Sequence, residues 1–312
     1  MRKNWMRQLK MKILHLFISF GLIICKNDTE TSVSNTMNFT EKLALVLINT
    51  QKEYLSGDTH RCLDTYFGNT PSIDKKIDLY IFFNQGEELE YLDLLKYKQH
   101  KNVNNIIIKS HQLSDFDDLY ARTPKELKEM NLPEVPPLGG SAGPNNLFFN
   151  SMIPLTEKSY RDYLMIEPDT QPIQDNWIDK IIQFCDDEKF LVAGSMYRGK
   201  ATLYTFAHWS GHLNGVAIYR NGHMLKVLFK YAKALIEKET ELTDNTFLSF
   251  DVAMHQLRCT LSGQKHFNNR NLPENHLLDC PIISNYSLPI DANTTIESVK
   301  KDHPQTIILH KK

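Results

Sequence analysis

Cysteine is scarce and unpatterned in this chain. The five residues Cys25, Cys62, Cys185, Cys259 and Cys280 include no C-x-x-C pair and no Cys/His spacing that would ligate zinc. The last four allow up to two disulfides, with Cys259 and Cys280 nearest in sequence; equally, they suit small buried apolar positions. An excess of charge is also missing: 36 Lys and Arg oppose 37 Asp and Glu, for a net charge of -1. Binders of nucleic acid carry a marked basic excess, so nucleic acid is not the expected partner. No Gly-rich basic loop follows the first apolar strand, where the chain reads NTQKEY. That argues against the phosphate loop of a nucleotidyltransferase. No internal repeat is present, and long apolar runs are confined to the N-terminus.

What is present is an ordinary globular composition, 41% hydrophobic and 23% charged over 312 residues, enough to bury a substantial core. The 13 Tyr and 16 Phe suit core packing and sugar stacking. The most informative stretch is Tyr163 to Trp177, YLMIEPDTQPIQDNW. Its apolar run, Tyr163 to Ile166, stops abruptly at Glu167 and Asp169 with Pro168 between them. Such a run reads as a buried strand whose carboxyl end opens into a polar site, and open α/β sheets bind ligands at those ends. Two acids ionising side by side repel unless a cation shares them, and hard oxygen ligands suit Mg²⁺ or Mn²⁺.

Around this stretch, strands are expected at Leu43 to Asn49, Asp78 to Asn84, Asn105 to Lys109, Phe190 to Tyr197 and Leu213 to Tyr219. Helical patterns cover His60 to Phe67, Glu87 to Tyr97 (with Leu89, Leu92 and Leu95 on its apolar face), Asn145 to Met152, Asp175 to Phe184, Leu225 to Glu237 and Phe250 to Leu257. Uninterrupted apolar strands alternating with helices indicate parallel strands covered on both faces. The Pro- and Gly-rich Met130 to Gly143 is a loop, and Thr306 to His310 returns to extended character. A single domain spanning 41–312 is expected, preceded by a stem at 26–40.

Residues 1–25 differ. Arg2, Lys3, Arg7, Lys10 and Lys12 precede the apolar run Ile13 to Cys25, a pattern of a signal peptide or signal anchor. An uncleaved anchor would leave the body on the far side of the membrane by the positive-inside rule. A type II membrane protein of the secretory pathway or Golgi, or a secreted protein, is the expectation. Sequons at Asn27, Asn38, Asn285 and Asn293 agree with a glycoprotein.

The order of parts from about residue 41 to the end resembles the GT-A class of nucleotide-sugar-dependent glycosyltransferases. The likeness rests on Gly143, Pro144 and Asn145, on IEPDTQPIQDNW, on the Gly-containing HLNGVAIY, and on the closing IILH. It implies a Rossmann-like mixed sheet flanked by helices, a nucleotide-sugar donor, a glycan or protein hydroxyl acceptor, and Mn²⁺ or Mg²⁺ as cofactor. The EPD piece stands where the family has DxD, with Glu for the first Asp. The resemblance implies Asp169 as principal metal ligand, Glu167 as a ribose- or metal-linked acid, and His310 as third ligand. A divalent ion neutralises charge developing on a departing diphosphate, and an inverting enzyme deprotonates the acceptor with a carboxylate base. Asp251, in LSFDVAMH, is the candidate base.

Thr50 and Gln51, at the end of the first strand, suit the nucleotide by position; Asn145 and Asn146 suit the donor or cap a helix. His212 and Asn214, beside a Gly that permits close backbone approach, suit an acceptor pocket or a tight turn. Trp209 and Tyr204 suit stacking on a sugar face or burial. Two other readings compete: a sugar nucleotidyltransferase, and a non-catalytic secreted glycan-binding protein on the same scaffold.

Overall fold

The computed structural model describes residues 41–68, 70–120, 126, 129–130, 134–200, 212–243, 248–262 and 277–311. The expected signal or anchor, the stem, Tyr204 and Trp209 lie outside these residues, as do Asn27 and Asn38. Among the described residues no helix is long and apolar enough to cross a membrane.

Among the described residues, ten strands form two sheets. In chain order they are β1 (Glu41–Asn49), β2 (Ile77–Phe83), β3 (Val103–Ser110), β4 (Tyr160–Ile166), β5 (Thr170–Pro172), β6 (Val192–Gly194), β7 (Ala217–Arg220), β8 (Leu277–Asp279), β9 (Ile283–Tyr286) and β10 (Ile308–Lys311). The large sheet has the order β3-β2-β1-β4-β7-β6-β8. Its first half is parallel, with β1 between β2 and β4, and β7 enters antiparallel to both β4 and β6. The small sheet, β5-β10-β9, joins β10 antiparallel to β5 and parallel to β9. The expected mixed α/β sheet with flanking helices is what the chain forms.

The helices are α1 (Gln51–Leu55), α2 (Asp58–Gly68), α3 (Ala142–Leu155), α4 (Trp177–Asp187), α5 (His223–Thr243), α6 (Phe250–Ser262) and α7 (Ile296–Asp302). β1 is apolar on both faces because both are covered. Leu43, Leu45 and Leu47 share one cluster with Leu63 and Tyr66 of α2 and Trp177, Ile178 and Ile181 of α4. A second cluster is aromatic: Phe148 of α3 stacks on Phe250 of α6 at 3.7 Å and meets Phe229 of α5 edge-on at 5.2 Å. Trp177, Ile178, Ile181 and Ile182 are buried as their spacing predicts.

Several expectations are corrected. Glu88–Gln99 is a 3₁₀ helix, not an α-helix. With three residues per turn, side chains three apart stay on one face; that face is Tyr91, Leu94 and Tyr97, all buried, while Leu89, Leu92 and Leu95 are exposed. The strands expected at 190–197 and 213–219 shorten to β6 and β7, and β5 and α7 were not anticipated. Cys62, Cys185 and Cys280 are free and buried, so no disulfide joins them. Asn285 lies in β9, is 3% exposed and accepts the Ser287 N–H at 3.0 Å, so its sequon is closed in the folded chain.

The 3₁₀ face generates a testable contrast. Leu94→Ala is expected to destabilise the protein by about 2–5 kcal/mol, the usual range for emptying a buried leucine site. Leu92→Ala should fall within about 0.5 kcal/mol of wild type. Urea unfolding of the two variants checks this, and equal losses would contradict the 3₁₀ register.

Candidate functional site

β4 carries the chain to the carboxyl edge of the sheet and ends there because Glu167 follows. The next residues turn back at once: Thr170 N–H and Oγ1–H both donate to the Glu167 carbonyl, at 3.0 and 2.6 Å. Pro168 and Asp169 form the tip. From below, Tyr66 Oη donates to Thr170 Oγ1 at 3.1 Å, and Trp177 Nε1 donates to the Tyr66 carbonyl at 3.1 Å. The two rings meet edge-on at 5.3 Å. Cys62 Sγ lies 3.7 Å from both the Glu167 and Thr170 carbonyls, and burial pushes its thiol well up. It is a filler under the turn rather than a nucleophile.

After the turn the chain forms β5, which pairs with β10 so that His310 stands opposite Thr170. Lys311 N–H donates to the Asp169 carbonyl at 3.0 Å, extending the ladder to the acidic tip itself. His310 is 2% exposed. Its Nε2 lies 3.1 Å from Asp169 Oδ1 and 3.5 Å from Glu167 Oε2. Residues 141 positions apart in sequence thus converge on one point.

The surroundings are acidic. Burial pushes the Glu167 carboxyl up; His310 pulls it down, while Asp169, Glu53 and Asp251 push it further up. Four carboxylates facing one imidazole call for a cation. The donor set fits one: two hard oxygens and a nitrogen, all within 4.8 Å of one another. Ligands about 2.1 Å from a central ion lie about 3–4 Å from each other in octahedral geometry, close to the distances seen. Carboxylates suit Mg²⁺ and Mn²⁺, and the imidazole tilts the set toward a transition metal.

Asp251 begins α6 and faces the same space. Its Oδ1 accepts from Ser249 Oγ and, at 2.8 Å, from Val252 N–H; its Oδ2 lies 3.6 Å from His212 Nε2. The His212 and Asp251 side chains are 9% and 11% exposed. Asn214 is occupied locally, its Oδ1 accepting the Val216 N–H at 2.9 Å.

The other candidates divide. Thr50 caps α1: Glu53 N–H donates to its Oγ1 at 3.2 Å, while Thr50 N–H and Oγ1 donate to Glu53 Oε2 at 2.7 and 2.9 Å. Gln51 N–H donates to Asn84 Oδ1 at 2.8 Å and its amide reaches Glu90 at 3.0 Å. Asn145 is fully buried and ties α3 to α6, donating to the Leu138 and Leu248 carbonyls and accepting the Phe250 N–H. Its amide thus serves as a structural tie. Asn146 donates to the Asp117 carbonyl at 2.9 Å.

Sequence reasoning missed Glu53, Asn84, Asp118 and Tyr120. For Glu53 the signal was present, since T-x-x-E directly after a strand is a capping box. Asn84, 4% exposed, donates to Asp118 Oδ2 at 2.6 Å. Burial raises the Asp118 carboxyl to about 6, against the lowering effect of Asn84. The Tyr120 phenol is raised by burial and by Asp118, Glu53 and Glu167. A Cβ on Gly143 would sit 2.4 Å from the Tyr120 ring, so any larger residue there would push Tyr120 aside. No local pattern announces the meeting of these residues.

No protein-family model and no curated protein matches the chain. Among solved structures, mouse xyloside xylosyltransferase 1 in its apo form is 12% identical with a TM-score of 0.49, over 86% of this chain and 97% of that one. The glycosyltransferase GlyE of Streptococcus pneumoniae TIGR4 is 11% identical with a TM-score of 0.44, over 86% and 55%. S. aureus TarS 1-349 in complex with UDP-GlcNAc is 10% identical with a TM-score of 0.34, over 61% and 46%. Likenesses this distant decide nothing about activity, and the site must speak for itself.

Metal binding can be read without turnover. Mn²⁺ at 100 times its dissociation constant should stabilise the wild type by about 2.7 kcal/mol. Asp169→Ala and His310→Ala should abolish that gain. Thermal unfolding with and without Mn²⁺ measures it, and a wild type indifferent to the ion would exclude this metal site.

Proposed function

We propose that this chain is a GT-A-type glycosyltransferase, moving a sugar from a nucleotide donor to a hydroxyl of a glycan or protein. The observation that supports it most is the convergence of Glu167, Asp169 and His310 at the carboxyl end of β4, with Asp251 near enough to raise the Glu167 carboxyl. In this reading Asp169 and His310 hold Mn²⁺ or Mg²⁺, with Glu167 completing the set or meeting the ribose. The ion would supply Lewis-acid neutralisation of the donor diphosphate.

The nucleotide is assigned to the ends of β1 and β2, where Thr50, Gln51 and Asn84 gather. The acceptor is assigned to the side of His212, Asn214 and Asp251, together with Trp209. Asp251 takes the acceptor proton if the reaction inverts. Its Oδ1 is engaged by Ser249 and Val252, so Oδ2 is the oxygen available for that role, and His212 lies beside it. The nucleotidyltransferase alternative is disfavoured because a capping box, Thr50 to Glu53, stands where a phosphate-binding loop would follow β1. The basic N-terminus and its apolar run support a type II anchor in the secretory pathway.

The test is a nucleotide-sugar hydrolysis and transfer screen with and without Mn²⁺. Turnover of at least one donor is expected, metal-dependent and lost in Asp169→Ala. A folded wild type inert toward every donor would refute the proposal. Asp251→Asn is expected to lower transfer by about 10²–10⁴-fold with donor binding unchanged; equal loss of both would assign Asp251 to capping α6.

A further inference from the structure

A cavity of about 520 Å³ opens among Arg198, Tyr286, Ile290, Asn293, Thr294 and Asp302. Its volume falls in the range of small-molecule sites. Its strand β9 is paired with β10, which carries His310 of the acidic site. Asn285 of β9 stands opposite His310, and Tyr286, which lines the cavity, stands opposite Lys311. Lys311 Nζ donates to the carbonyl of Thr294, another lining residue. On the far side of β9, Tyr197 forms a parallel bridge to Asn285, and Arg198 N–H donates to the Asn285 carbonyl at 2.8 Å. Neighbouring strands lie about 4.8 Å apart, so the Tyr197 backbone is about 10 Å from that of His310.

The entrance is held in place. Asp291, 4% exposed, accepts from Tyr197 Oη and, at 3.2 Å, from Lys200 N–H. Cavity and acidic site therefore sit on the paired strands β9 and β10.

The lining chemistry selects the ligand. The Arg198 guanidinium lies 2.6 Å from Asp279 Oδ1, and the lining sets Arg198 and Lys200 against Asp291 and Asp302. A phosphate or sulfate needs cations in excess, which this lining does not offer. A lipid needs an apolar wall, and here polar groups dominate. Neutral sugars present hydroxyls that both donate and accept, and the guanidinium, the Asn293 amide and the Asp302 carboxylate answer both needs. Their C–H faces need a ring or aliphatic surface, which Tyr286 and the 49%-exposed Ile290 supply.

We propose that this cavity is a remote acceptor subsite, holding a neutral sugar unit of an oligosaccharide whose reacting end lies at the acidic site. The inference rests on the transferase reading for its role, but its binding test does not require turnover. The full chain is made in bacteria, so that Asn293, an exposed sequon residue, is bare. Chitotriose, maltotriose and xylotriose are titrated by saturation-transfer NMR. At least one should bind the wild type, bind Asp169→Ala equally, and bind Asn293→Trp about tenfold more weakly, a loss of about 1.4 kcal/mol. Thermal unfolding confirms that the exposed Asn293 position tolerates Trp. In transfer assays, Asn293→Trp should raise KM for the bound trisaccharide more than it lowers kcat. Absence of trisaccharide binding, equal binding by Asn293→Trp, or binding of peptides instead would each overturn the subsite. Trisaccharide binding by a wild type that turns over no donor would refute the transferase reading and leave the sugar site standing.

Discussion

The pairing of β5 with β10 is the constraint on which the rest depends. Without it nothing in the local chain would hold His310 beside the acidic turn. With it, the histidine stands across from Thr170, and the Asp169 carbonyl receives the Lys311 N–H. β10 is the middle strand of its sheet, and Ile173 N–H donates to the Ile307 carbonyl at 2.8 Å just beyond the β5 ladder. Leu309, fully buried, packs with Ile173, Tyr286 and Val299. Burying one such leucine contributes about 1.5–3 kcal/mol, enough to hold a short terminal strand when hydrogen bonds flank it on both sides.

That architecture creates an electrostatic tension. The turn after β4, the capping box after β1 and the start of α6 bring Glu167, Asp169, Glu53 and Asp251 to one edge of the large sheet. Water is partly excluded there, and the Glu167 carboxyl responds by holding its proton more tightly. His310 offsets part of the repulsion, and a divalent ion would offset the remainder. The floor beneath is the reverse: the polar atoms of Trp177 and Cys62 meet carbonyls and the Tyr66 hydroxyl meets Thr170 Oγ1, which keeps the turn in one shape. A rigid apolar base under a charged rim is how a site can tolerate crowded carboxylates.

Some of this was legible in local pattern. A run such as LALVLIN is a strand because its continuous apolar surface needs two covers, and Trp177, Ile178, Ile181 and Ile182 repeat at the spacing of one helical face. The break from YLMI to EPD marked where the sheet opens. The 3₁₀ segment was misread because leucines at intervals of three satisfy either helix type. Only the tyrosines and Leu94, held against β2 and β3, decide which face turns inward. That Asn145 ties α3 to α6 was not legible, because a sequence does not reveal how many carbonyls lie within reach of an amide.

The amino-acid order alone determined the parallel half of the sheet, the helices over it and the acidic turn, since these follow from short-range periodicity and from carboxylates ending an apolar run. Tertiary structure alone decided that His310 meets Asp169, that Asp251 and Glu53 share their field, and that β9 carries a cavity on its other side. Those meetings join segments distant in sequence, and their geometry is set by strand register, which short-range patterns do not encode.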